Sequence, residues 1–204
     1  MQIKEFQIRC SVISDIMTNP RSKSDTLSQT CKSYLETWVK EQIYSTRKEI
    51  KSKYLTKGIE VESQALEYYS DVNQLGFLVI NQDGYQNDFI TGTPDLIFKN
   101  TVYDFKSSWD CFTFPLFDTE ADKGYWMQLQ GYMHLTGLKS AKLVYTLQNT
   151  PEELVYGDAK DYTEIDAKFR IKEFSFNYDP DFIASVESRV IDCREYVKVL
   201  VDAL

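Results

Sequence analysis

Hydrophobic positions follow two different periods along the chain, and each change of period marks an element boundary. Between residues 25 and 50, Leu27, Tyr34, Leu35, Trp38, Val39, Ile43 and Tyr44 recur at mixed three- and four-residue steps, which predicts a helix with one buried face. Gly58 breaks that pattern. A second helix is expected from about Ile59 to Val72, presenting Glu62, Ala65, Leu66 and Tyr69 along one side and ended by Gly76. Short apolar runs then take over: FLVI at 77–80, a turn at NQDGYQN, DFITG at 88–92, PDLIF at 94–98 and TVYDFK at 101–106. They read as a sheet with hairpins. Helical spacing returns over about 122–135, followed by strands at 141–147 and 169–178 and a closing helix over about 180–203, while KEFQIRC near the start reads as a short strand. Helices flanking a mixed β-sheet define an α/β (α+β) fold class. No repeat, low-complexity tract or linker divides the chain, so residues 1–204 are expected to form a single domain with a helical N-terminal segment of about 1–57.

Composition supports a folded interior: 43% of residues are hydrophobic and 14% aromatic, with only 8 Gly and 5 Pro. No apolar run approaches the roughly 18 residues of a membrane helix. The opening MQIKEFQIRCSVISD lacks the apolar centre of a signal peptide, so a cytoplasmic location, the host's if the gene is phage-encoded, and no membrane partner are expected. Cys10, Cys31, Cys111 and Cys193 are scattered and form no CxxC pair, which argues for reduced structural thiols and against a zinc knuckle. The single histidine, His134, leaves a histidine-based metal site without a second ligand and reads as a helix-surface residue.

The net charge of −8 weighs against a phosphate-bearing partner until its distribution is considered. Residues 1–57 carry 11 Lys and Arg against 6 Asp and Glu, whereas the remaining 147 carry 12 against 25. The densest basic stretch holds Arg47, Lys48, Lys51, Lys53 and Lys57 against Glu49 alone, and reads as either a solvated helix end or a track for a nucleic-acid backbone.

The chemistry-bearing segment is GTPDLIFKNTVYDFKSS. Asp95 stands near the start of one predicted strand and Asp104 and Lys106 on the next, with Lys99 and Asn100 as the turn. Side chains alternate across a strand, so Asp104 and Lys106 share one face and Phe105 takes the other, leaving its backbone carbonyl beside the pair. Two carboxylates at the edge of a core repel each other unless protonated or bound to a hard divalent ion. Mg²⁺ (or Mn²⁺), one or two ions, suits such a site because it takes oxygen ligands, keeps several waters and often needs only one or two carboxylates. Lys106 would then stand where a water attacking a phosphodiester is oriented and where transition-state charge develops.

With Gly92, Thr93 and Pro94 directly upstream, this pattern resembles the PD-(D/E)xK nuclease superfamily, on Pro94, Asp95, Asp104, Phe105 and Lys106. GIEVESQALEYY is similar to the Gly-x-x-x-Glu-x-x-Ala helix of its RecB-type branch, which includes phage lambda exonuclease-like and YqaJ-like proteins, with Gly58, Glu62 and Ala65 in matching places. QLQGYMHLTG resembles the Gln-x-x-x-Tyr helix that follows the catalytic lysine, with Gln128 and Tyr132 at i and i+4 on one face. The resemblance covers roughly residues 9–148. It implies a restriction-endonuclease-like core, Glu62 as a third acidic metal ligand, and Gln128 and Tyr132 as residues of the scissile region. Glu60 and Glu67 are the neighbouring acids, on other sides of the helix, and Gln130 is the neighbouring amide. RCSVISDIMTNP is loosely similar to the N-terminal substrate-binding segment of the YqaJ-like proteins, which implies that Arg9 and Ser11 grip a DNA phosphate while Arg47, Lys51, Lys53 and Lys57 track the backbone. An aromatic group, Trp109, Phe112 and Phe114, follows the catalytic strand and reads as core or as a surface for stacking DNA ends. Because only Cys193 follows Cys111, the cysteine pattern of the branch's iron-sulfur members is missing, and no such cluster is expected.

The expected activity is therefore metal-dependent exonucleolytic hydrolysis at double-stranded DNA ends, in 5′–3′ resection beside a single-strand-annealing recombinase. A structure-specific endonuclease of the same fold and a catalytically silent DNA-binding subunit are the alternatives. The exonucleases resembled include toroidal trimers, a form in which an acidic chain would gather its basic segments around a channel. Light scattering should then give about three times the chain mass of 23.8 kDa; a strict monomer at working concentration would remove the ring.

Overall fold

In the computed structural model, residues 3–49, 52–155 and 159–204 are described. A two-residue strand β1 (Ile8–Arg9) leads through a 3₁₀ turn into the short helix α1 (Ile13–Ile16). Helix α2 (Gln29–Ile43) is capped by Ser28, whose hydroxyl accepts the Cys31 N–H, and buries Cys31, Leu35 and Val39. It is shorter at both ends than its periodicity predicts, and Ser45 leaves it with a φ of 49°. Helix α3 (Lys53–Val72) begins before Gly58, which lies inside it and breaks nothing. A helical glycine costs only about 1 kcal/mol, and the buried stripe of Val61, Ala65, Leu66 and Tyr69 outweighs that.

Two sheets follow. In the smaller, β3 (Ile90–Gly92) lies between β1, parallel to it, and β2 (Tyr85–Gln86), antiparallel. In the larger, β4 (Leu96–Phe98), β5 (Thr101–Ser107), β6 (Ser140–Thr146) and β7 (Ile171–Asn177) stand in sequence order, with β5 and β6 parallel and the outer pairs antiparallel. Residues 77–80, expected as a strand, join no ladder: Leu78 and Ile80 pack inward, Phe77 and Val79 face solvent, and Asn81 N–H donates to the Asp95 carbonyl at 2.7 Å. Lys99 and Asn100, both with positive φ, make the tight β4–β5 turn.

Helix α4 (Lys123–Thr136) is capped by Asp122 and ends at the left-handed Gly137, and it supplies the crossover between parallel β5 and β6. Helix α5 (Pro180–Asp202), capped by Asp179, buries Ile183, Val186, Val190, Cys193 and Val197. The sheet separates two apolar clusters. Val102, Ala141 and Leu143 meet α1, α2, α4 and α5 on one face, whereas Tyr103, Phe105 and Val144 meet Leu66 and Tyr69 of α3 on the other. This is a mixed α/β architecture of helix-flanked sheets. Among the described residues, no helix is long and apolar enough to cross a membrane.

Close approach of α4 to the N-terminal segment fixes its depth. A Cβ at Gly131 would stand 2.7 Å from Cys10 Sγ and 2.9 Å from Ile13 Cδ1, whereas one at Gly58 would meet nothing within 4 Å. Gly58→Ala should stabilise by about 0.5–1 kcal/mol through helix propensity. Gly131→Ala should destabilise by about 1 kcal/mol or more, because overpacking outweighs that gain. Urea denaturation measures both, and a stabilised Gly131→Ala would show that α4 does not press on Cys10.

Candidate active site

Strand β4 is three residues long and pairs with β5 only from Thr101 to Tyr103, so the same edge of β5 is open from there on. The Phe105 N–H points into that opening and donates to Asp95 Oδ2 at 2.7 Å. A strand residue's N–H and C=O leave on the same side, so the Phe105 carbonyl faces the same edge. Asp95, one residue ahead of β4, thus acts as a side-chain substitute for the missing strand.

Asp104 is 1% exposed and points to the α4 side of the sheet. Its Oδ1 accepts from Gln128 Nε2 at 2.8 Å, and the same amide donates to the Tyr132 hydroxyl at 2.9 Å. Lys106 Nζ lies 2.6 Å from Asp104 Oδ2, an ion-pair contact. Beyond that ammonium, no group among the described residues donates a hydrogen bond to this buried oxygen. Asp104, Lys106, Gln128 and Tyr132 therefore form one connected group, and Asp95 joins it through the Phe105 backbone.

Burial and neighbouring charge act together on Asp95. Burial and then the negative charge of Asp104 push its carboxyl up to about 7, against the opposing pull of Lys106 and the Phe105 N–H, with Glu62 adding to the rise. The Lys106 ammonium loses solvation on burial, but Asp104 and Asp95 more than compensate, so its proton is held more tightly than usual. Glu62, half-buried on α3, is raised by burial and by Asp104 and lowered by Lys106. Its charge is thus felt at the β5 edge. Glu60 and Glu67 are exposed and border other cavities, one with residues 149–153 and 159–161, the other with residues 76–80 and 82.

Among the described residues, no three His, Cys, Asp or Glu side chains are already gathered so as to hold a metal ion. The donors present still fit a hard divalent cation. Asp104 Oδ2 is buried with the Lys106 ammonium beside it, Asp95 is destabilised as an anion, and both carboxylates offer the oxygen ligands a hard cation takes. Asp95 and Asp104 would hold such an ion directly, and Glu62 would supply further negative charge.

The remaining expected site residues separate. Lys57 is removed from the set of phosphate-tracking cations: it is 0% exposed, and its ammonium donates to the carbonyls of Ser108, Trp109 and Gln148 at 2.7, 3.0 and 2.7 Å. Lys51 lies outside the described residues. Lys53 stands over the Trp109 ring, 4.6 Å from its centroid. Arg9 and Arg47 are exposed and border one cavity, with Tyr34 and Trp38 in its wall. Ser11 borders a different pocket, with Ser14, Asp122, Gly124, Tyr125 and Tyr145. Gln130 is a structural amide, donating to the Asn177 carbonyl and accepting the Asp179 N–H. His134 is held by Asn87, Tyr178 and Glu187, away from the acids. Phe114 is core, packed with Leu147 and Tyr162, while Phe112 is 90% exposed. Tyr125, which sequence reasoning passed over, stands over Lys106 at 4.9 Å; its place three residues before Gln128, on a neighbouring helix position, was the available signal.

The fold compares closely with solved nucleases. A phage-related exonuclease from Haemophilus somnus 129PT superposes with a TM-score of 0.88 at 28% identity, covering 98% of this chain and 97% of its own. An alkaline exonuclease from Laribacter hongkongensis gives a TM-score of 0.72 at 16% identity over 97% and 90% of the two chains, and a structure of that enzyme in complex with dAMP gives 0.71. No family model and no curated protein matches the sequence. The structural neighbours are exonucleases, which supports a nuclease of that fold.

Because folded Asp95 binds its proton far more tightly than the unfolded chain, whose ordinary value is 3.8, the stability its protonated form contributes is present below about pH 4. It is lost as pH rises through about 7. In EDTA, the difference in melting temperature between Asp95→Asn and wild type should shift in favour of the variant between pH 4 and 7. A difference independent of pH would place Asp95 in a solvated setting.

Proposed function

We propose that this chain is a metal-dependent deoxyribonuclease of the PD-(D/E)xK type that degrades double-stranded DNA from its ends. The observation carrying this reading is the junction of Asp95, Asp104 and Lys106 at the open edge of β5, in a fold that matches a phage-related exonuclease over nearly its full length. Asp95 and Asp104, with the Phe105 carbonyl on the same edge, would hold Mg²⁺ or Mn²⁺, and Glu62 would add its charge. A bound divalent ion supplies a nucleophilic water at neutral pH and neutralises charge developing on the phosphate.

The protein's own residues account for the rest. Gln128 fixes the Asp104 carboxylate by holding Oδ1, and Tyr132, accepting from the same amide, fixes Gln128. Lys106, kept protonated by its acidic neighbours, is placed to stabilise the pentavalent phosphate. Tyr125 covers the lysine on one side and keeps it from swinging into solvent. Arg9 and Arg47, exposed around a cavity with aromatic walls, form a route for the phosphate backbone, and Ser11 shares a pocket with Tyr125, the ring over Lys106, where a terminal phosphate would be read. The complex of a neighbour with dAMP is consistent with a nucleotide product. A 5′–3′ polarity, a trimeric ring, a cytoplasmic setting and work beside a single-strand-annealing recombinase complete the proposal, with neither a membrane nor an iron-sulfur centre involved.

Digestion of linear and covalently closed duplex DNA, with one 5′ end labelled, tests it. Wild type should consume only the linear form in Mg²⁺ and nothing in EDTA, with early release of the label. Lys106→Ala should lose about 10²- to 10³-fold in rate. Cutting of both substrates would replace the exonuclease by an endonuclease, and binding without cutting would leave a silent subunit.

A further inference from the structure

The Lys57 ammonium is buried and has no part in the mechanism above. Lys57 is among the largest fully buried side chains of the molecule, and among the described residues no carboxylate salt-bridges it. Its three partners are carbonyls that lie just past the ends of the two central strands: Ser108 and Trp109 after β5, Gln148 after β6. A desolvated ammonium is costly, and here burial depresses Lys57 to about 8 although the charge of Asp110 works the other way. An apolar residue would satisfy the buried stripe of α3 at this position, which continues at four-residue steps through Val61, Ala65 and Tyr69.

The stripe touches β5 at two places. Near its C-terminal end, the Tyr69 ring packs edge-on against Phe105 and Tyr103, at 5.4 and 6.1 Å. Near its N-terminal end, the Lys57 ammonium grips the chain as it leaves β5. Helix and strand therefore run in opposite directions, pinned at both ends by contacts of different kinds. Glu62 sits between the pins, level with the part of β5 that carries Asp104 and Lys106, whose charges act on it. Aromatic contacts tolerate sliding, whereas directional hydrogen bonds from one ammonium to three backbone carbonyls restrict how far the helix carrying it can turn or slide.

We propose that Lys57 is a positioning residue: its clamp on the Ser108, Trp109 and Gln148 carbonyls sets α3 so that Glu62 faces the Asp95 and Asp104 metal site. The inference rests on the nuclease reading only through the role of Glu62. Lys57 touches neither DNA nor the metal in this scheme, and its loss acts through Glu62 alone.

The test is a double-mutant cycle read by Mn²⁺ binding to the full-length protein without DNA, using the electron paramagnetic resonance of free Mn²⁺. Lys57→Met, of similar length and without charge, should weaken Mn²⁺ binding by roughly tenfold, the scale expected when a residue that orients a metal ligand is lost. In a Glu62→Gln background the same change should alter binding less than about twofold, because the route is already cut. A tenfold loss in both backgrounds, or no loss in either while Glu62→Gln itself weakens binding, overturns the inference and leaves the nuclease reading standing. If neither Glu62→Gln nor Asp104→Asn changes Mn²⁺ binding, the metal site fails and the inference falls with it. Should Lys57→Met not melt cooperatively, Lys57→Gln, which keeps two N–H donors, goes through the same cycle under the same criterion.

Discussion

A strand that loses its neighbour partway along leaves backbone groups that must be satisfied by something else, and β5 is in that position from Asp104 onward because β4 is only three residues long. The Asp95 carboxylate takes the Phe105 N–H and closes the gap. That solution imports a second negative charge beside Asp104, which already lies almost entirely out of water. Lys106, Gln128 and the helix that carries Gln128 are then needed to hold the arrangement together. The backbone constraint and the chemistry are thus the same feature. An edge that was fully paired would have no room for a cation or a phosphate, and an edge with no carboxylate would leave a buried donor unsatisfied.

Two buried cations reinforce the far ends of the strands. Lys57 reaches Gln148 O from α3, while Arg170, just ahead of β7, donates to Leu147 O and Gln148 Oε1. The chain leaving β6 is therefore gripped through adjacent residues by cations from two elements, and Lys57 extends the grip to the chain leaving β5. Carbonyls rather than carboxylates receive most of these contacts. The core here is organised by charge–dipole contacts, which specify direction more sharply than apolar packing does.

The charge segregation along the chain acquires a spatial meaning in the same way. Arg9 and Arg47 are far apart in sequence but border one cavity, whereas Lys57, counted among the same cations on sequence grounds, is withdrawn into the interior. Fewer basic residues thus remain to meet a phosphate backbone than a count of the first 57 suggests. Among them, Arg9 and Arg47 share a cavity lined by Tyr34 and Trp38, and Lys53 stands over Trp109.

Local pattern alone was enough for the elements with strong periodicity and clear ends. Helix α4 between Asp122 and Gly137, helix α5 after Asp179 and Pro180, and strands β5 and β6 fall where the sequence predicts them, because capping and alternation are short-range physics. The shared face of Asp104 and Lys106, and of Gln128 and Tyr132, was legible for the same reason. Residues 77–80 were not, since an apolar alternation cannot tell a laddered strand from an extended segment lying beside one. Nor was the start of α3, where tertiary burial overrides the preference of Gly58, or the fate of Lys57, whose three carbonyl partners lie 51 to 91 residues away. Residue type, period and capping determined the elements and the faces of the chemical groups; only the packing of distant segments decided which charges meet and which of them are buried, because solvation and electrostatic coupling depend on distance in space and not along the chain.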